Sequence, residues 1–78
     1  MHADWLWEGD ANVPKPTKRG WYATTLCWDL DEGFYPSATF WDGYWVGHNA
    51  GSISLRSKDP FESEKEALQW AYDYDIEN

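Results

Sequence analysis

The chain contains one cysteine, Cys27, in 78 residues. An internal disulfide is therefore impossible, and a cysteine-based zinc site, which needs at least two thiolates, is excluded with it. No stretch approaches the roughly 20 apolar residues that cross a bilayer as a helix. The opening Met1-His2-Ala3-Asp4-Trp5 has neither the basic start nor the apolar run of a signal peptide. The expectation is a protein of a reducing, cytoplasmic compartment with no membrane span. Positive charge is also scarce: six Lys and Arg face fourteen Asp and Glu, for a formal charge of −8 and a pI near 4.4. That balance argues against direct nucleic-acid binding, whose affinity rests on Lys and Arg neutralising phosphates. It disfavours anionic membranes for the same reason. Acidity of this size serves solubility by itself, or else marks a cationic partner.

The machinery of catalysis is missing as well. Nucleophilic catalysis needs a nucleophile beside a base and an orienting group. Cys27 lies between Leu26 and Trp28 in an expected strand, which favours a buried, inert thiol. His2 and His48 stand apart in an arm and a glycine-rich loop, and do not make a metal site. Gly43, Gly47 and Gly51 recur at four-residue spacing, but no Lys-Ser/Thr follows as a phosphate loop requires. Asp29-Leu30-Asp31-Glu32 resembles part of a calcium loop without the remaining ligand positions. No cofactor and no enzymatic activity are expected.

What the chain does have is aromatic rings: seven Trp, five Tyr and three Phe, 19% of the residues. At this length only about 60% of the unfolded surface can be buried, and rings that each bury about 150–250 Å² must supply the core. Residues 1–19 read as an extended arm, because Val13-Pro14-Lys15-Pro16 disfavours helix. Trp5 and Trp7 would share one face of it, either stapling the arm to the core or anchoring a partner. Residues 20–78 read as a single domain. Strands are expected at Trp21–Trp28, Phe34–Trp41, Tyr44–Val46 and Ile53–Arg56, with turns at Asp29–Gly33 and Asp42–Gly43. Ser63 and Glu66 form a capping box that opens a helix over about 63–74. The fold class is α+β: a three- to four-stranded antiparallel meander with one C-terminal helix packed on it.

The acidic residues are unevenly placed. Residues 20–55 hold Asp29, Asp31, Glu32 and Asp42 with no Lys or Arg, and residues 59–78 hold seven carboxylates against Lys65 alone. On a helix, Glu62, Glu66, Asp73 and Glu77 would form a stripe about 20 Å long, with Gln69 in its gap and Ala67, Leu68 and Ala71 opposite. Like charges one turn apart repel by a few tenths of a kcal/mol, and anions at a helix C-terminus oppose its dipole. The stripe is either an ordinary solvated face or a surface with a use. The aromatic residues carry the rival reading. Trp41, Tyr44 and Trp45 beside one turn, and Trp28 and Tyr35 beside the other, are either core or an exposed platform for a partner.

Small size, strong acidity, a compact α+β plan and no catalytic site together resemble the DNA-mimic anti-CRISPR and anti-restriction inhibitors of bacteriophages. Gly20-Trp21-Tyr22, Trp41-Asp42-Gly43-Tyr44-Trp45 and Pro60-Phe61-Glu62-Ser63 through Trp70-Ala71 are also similar to short phage and prophage proteins. The first resemblance implies a monomeric inhibitor in the bacterial cytoplasm. Its partner would be a basic DNA-binding protein such as a CRISPR effector subunit. Such inhibitors share charge and no sequence motif, so the contact residues come from the helix geometry above: Glu62, Glu66, Asp73 and Glu77 would make the main contact, supported by Asp29, Asp31 and Glu32. The second implies a structural or regulatory module that binds through exposed aromatics.

Overall fold

The computed structural model describes residues 5–27, 33–47 and 50–74. Five strands, β1 Trp5–Trp7, β2 Gly20–Leu26, β3 Tyr35–Trp41, β4 Trp45–Val46 and β5 Ile53–Ser57, precede one helix, α1 Glu64–Asp73. All pair antiparallel in one sheet of order β1-β5-β2-β3-β4. The α+β class is as the sequence predicts, with two differences. The sheet has five strands rather than three or four, because Trp5–Trp7 of the expected arm pairs with β5. It also departs from a simple meander: β2, β3 and β4 follow in order, but β5 enters on the far side of β2.

β2 occupies the centre of the sheet, and Tyr22 to Leu26 is buried without a break. A strand covered on both faces buries consecutive residues instead of alternate ones. On one face, Ala23 and Leu55 meet α1, whose Ala67 and Ala71 are fully buried. These two alanines are one turn apart and therefore on one side of the helix, and their small size lets it lie close to the sheet. Trp5 closes this core against Trp70, with ring centroids 5.0 Å apart, and its indole donates to the Tyr74 carbonyl at 2.6 Å. Thus the first described residue and the last are tied together. Ser63 caps the helix as expected, accepting from the Glu66 amide at 3.2 Å.

The other face is polar and is covered by the segment after β1. Glu8, 8% exposed, accepts from Arg56 Nε at 2.8 Å, from Lys15 Nζ at 2.8 Å and from Trp45 Nε1 at 3.2 Å. Trp45 belongs to the edge strand opposite β1. A flat sheet with strands about 4.8 Å apart would hold those edges roughly 19 Å from each other. The Glu8–Trp45 bond therefore requires the sheet to curl around this face. Arg56 Nη2 also donates to the Pro14 carbonyl at 2.7 Å, and the Tyr22 hydroxyl to the Lys18 carbonyl at 2.6 Å. Much of the expected arm is in this way fastened across the sheet. The buried threonines are satisfied too: Thr24 and Thr39 share a hydrogen bond at 3.0 Å, and Thr25 accepts from the Leu55 amide. Among the described residues no buried side-chain nitrogen or oxygen lacks a partner.

Candidate functional site

The expected acidic stripe is only partly helical. α1 begins at Glu64, behind the cap Ser63, so Glu62 precedes the helix. α1 ends at Asp73, and Glu77, Asp29, Asp31 and Glu32 lie outside the described residues. The helical row is therefore Glu66, Gln69 and Asp73, with the Gln69 amide donating to Asp73 Oδ1 at 3.1 Å. Glu62 and Glu64 sit at its N-terminal end, and all four carboxylates are exposed. Ten residues of helix extend about 15 Å, and a single strand of B-DNA carries roughly four charges over that length. The four carboxylates match one phosphate strand in number. Glu64 was not among the expected contact residues; the run of acids from Asp59 to Glu66 was the signal that includes it.

Local energetics accounts for part of this charge. Glu64 and Glu66 lie in the first turn, where the helix dipole stabilises anions by about 0.3–1 kcal/mol each. Asp73 lies at the opposite end, where the same dipole opposes it. No basic residue stands in the last turn to compensate.

Three of the six cations are engaged away from the helix. Lys15 and Arg56 pair with Glu8, and Arg19 pairs with Asp42 at 3.1 Å while its guanidinium lies 5.3 Å over the Phe40 ring. Among the described residues, Glu62, Glu64, Glu66 and Asp73 have no salt bridge.

The aromatic residues divide between core and surface. Trp5 is core, whereas Trp7 is 44% exposed and packs edge-on to Phe34. Trp41 and Trp45 pack edge-on at 4.9 Å, and Trp45 also meets Tyr22, so these two rings belong to the folded sheet. Tyr44 at the hairpin tip and Tyr72 on the helix are exposed. Trp28 and His48 lie outside the described residues. Burial pushes the Tyr22 hydroxyl above the ordinary tyrosine range, against the opposing pull of Arg56 and the bond to Lys18. No group of three or more His, Cys, Asp or Glu among the described residues is placed to hold a metal ion.

Comparison with protein-family models, curated proteins and solved structures finds no match to this chain.

Proposed function

We propose that this protein is a non-catalytic inhibitor that occupies the cationic, nucleic-acid-binding surface of a bacterial defence complex as a DNA mimic. The observation that carries the reading is the inequality of charge pairing. Lys15, Arg19 and Arg56 turn onto Glu8 and Asp42, whereas Glu62, Glu64, Glu66 and Asp73 are exposed and, among the described residues, form no salt bridge even with Lys65 of the same helix. A cleft lined with Lys and Arg offers the counter-ions that the fold withholds, and opposite potentials accelerate encounter. Occupation by a folded domain then excludes DNA sterically. The resemblance to phage inhibitors points to a CRISPR effector subunit or a restriction enzyme as partner, met in the host cytoplasm.

The test is competition for target DNA with purified effectors, using the wild-type chain and a Glu62→Lys/Glu66→Lys/Asp73→Lys variant whose melting shows it to be folded. Inhibition should disappear with the reversed charges and fall steeply as salt shortens the Debye length from about 10 Å at 0.1 M. Inhibition that is unchanged by the variant would sink the acidic contact. Binding that survives both charge reversal and salt, but is lost with Tyr44→Ala and Tyr72→Ala, would favour an aromatic-anchored module instead. The exposure of Tyr44 and Tyr72, 65% and 56%, is what supports that second reading.

A further inference from the structure

Four of the six basic residues of this acidic chain converge on one pocket. Lys15, Lys18, Arg56 and Lys58 line it together with Tyr22 and a single carboxylate, Asp59. Its volume is about 260 Å³, and it lies on the polar face of the curled sheet, between the Pro14–Lys18 segment and the turn after β5. The geometry points to a binding site for a small, doubly charged anion of the phosphate-monoester type.

Three features make this a built site rather than a scatter of surface lysines. Arg56 forms its floor: it is 3% exposed, and its position is fixed through Nε to Glu8, Nη1 to the Ser57 carbonyl and Nη2 to the Pro14 carbonyl. A guanidinium has five N–H donors, so these three bonds leave two for a ligand. The wall is fixed as well, because the Tyr22 hydroxyl holds the Lys18 carbonyl at 2.6 Å and the Ser57 hydroxyl holds that of Asp59 at 2.9 Å. Lys18 and Lys58 form no salt bridge among the described residues, so their ammonium groups are free to close on an anion.

The charge count selects the ligand. Glu8 lies behind Arg56 and Lys15 and Asp59 lies in the wall, so two of the four positive charges remain uncompensated. A dianion completes that balance, whereas a monocarboxylate leaves half of it. The volume is slightly below the range of about 300–1,000 Å³ usual for ligand pockets, which suits a phosphate with a small substituent better than a dinucleotide. The net charge of −8 repels long polyanions, but beyond about 8 Å at physiological salt that repulsion is screened and the local cations dominate.

Titration of the full chain with inorganic phosphate and with phenyl phosphate, followed by amide NMR shifts at constant ionic strength, tests the assignment. Saturable shifts should centre on residues 15–22 and 56–59. Lys18→Gln/Lys58→Gln, in exposed positions, should keep the fold and weaken binding by about tenfold or more. Acetate should bind more weakly than phosphate. Shifts that fail to saturate, that chloride reproduces, or that persist undiminished in the double variant overturn the site, and equal binding of acetate overturns the dianion.

Discussion

Removing the Glu8 carboxylate should cost this domain a large share of its stability. Among the described residues Glu8 is the acid paired with Arg56, and the two side chains are 7% and 3% exposed. In Glu8→Ala the guanidinium keeps its two carbonyl acceptors, on Pro14 and Ser57, but loses its counter-charge. Breaking a buried pair from one side costs about 3–5 kcal/mol, because a charge that is almost wholly buried is left without its counter-charge. Lys15 adds little to that figure, since its side chain is 63% exposed and an exposed ion pair contributes about 0–1 kcal/mol. Trp45 adds the loss of one indole hydrogen bond, about 1 kcal/mol. At roughly 0.05–0.15 kcal/mol per residue, a chain of 78 residues has about 4–12 kcal/mol in all.

Urea unfolding followed by tryptophan fluorescence reads this directly. With a slope of about 1 kcal/mol/M for so small a domain, the midpoint should fall by about 3 M or the variant should be unfolded in water. The companion variant Glu8→Gln/Arg56→Met removes both charges, and replacing a buried pair by groups of similar volume is often neutral or stabilising. It should recover most of the loss. A Glu8→Ala midpoint within about 1 M of wild type would refute the reasoning, as would a double variant no more stable than the single one.

Two further outcomes follow from single residues. Gly20 has φ +154°, and a Cβ there would lie 2.9 Å from Pro60 Cβ, so Gly20→Ala should destabilise by about 1–3 kcal/mol in the same urea assay. Burial raises the Tyr22 pKa, so above the unfolded value near 10 the native state retains a proton that the unfolded chain has lost. Stability from this group is therefore complete below about pH 10 and is lost as pH rises through the folded value. The wild-type melting temperature should fall more than that of Tyr22→Phe across this window, and parallel curves would refute the assignment.

The parts of the fold that depend on local pattern are legible in the chain. The Ser63–Glu66 capping box, the run of helix formers behind it and the Asp42–Gly43 hairpin all stand where local chemistry places them, with Gly43 at φ +82°. What escapes is what depends on residues far apart. Trp5–Trp7 is too short to announce a strand, and it becomes one because β5 offers an open edge and the Trp5 ring fits against Trp70. The order β1-β5-β2-β3-β4 follows from which edge of β2 is left free, a choice that no turn signal encodes. The candidate site shows the same division. Helical periodicity groups Glu66 with Asp73, and α1 at Glu64–Asp73 holds both, whereas Glu62 stands before the helix and Glu77 lies outside the described residues. The cationic pocket draws on residues 15, 18, 56 and 58, which long-range contacts such as Arg56 with Glu8 and with the Pro14 carbonyl bring together.

That pairing also explains why two of the chain's few cations stand away from its helix. Surface lysines at i,i+4 to the helix acids would have added only about 0.2–0.5 kcal/mol per pair. Arg56 and Lys15, placed on Glu8, instead close the segment after β1 over a whole face of the sheet, a contact on which the fold depends. Stability therefore draws Arg56 and Lys15 to the face opposite α1, and it gives no reason for the carboxylate of Glu62 to be there, while the Asp73 side chain needs only an oxygen, not a charge, to accept from Gln69. Glu64 and Glu66 have the helix dipole as a local reason; Asp73 stands against it. Asp73 is for that reason the sharpest single probe of a surface kept for a partner: Asp73→Asn keeps an oxygen to accept from the Gln69 amide, so it should stabilise the isolated domain slightly and weaken a complex that uses the row.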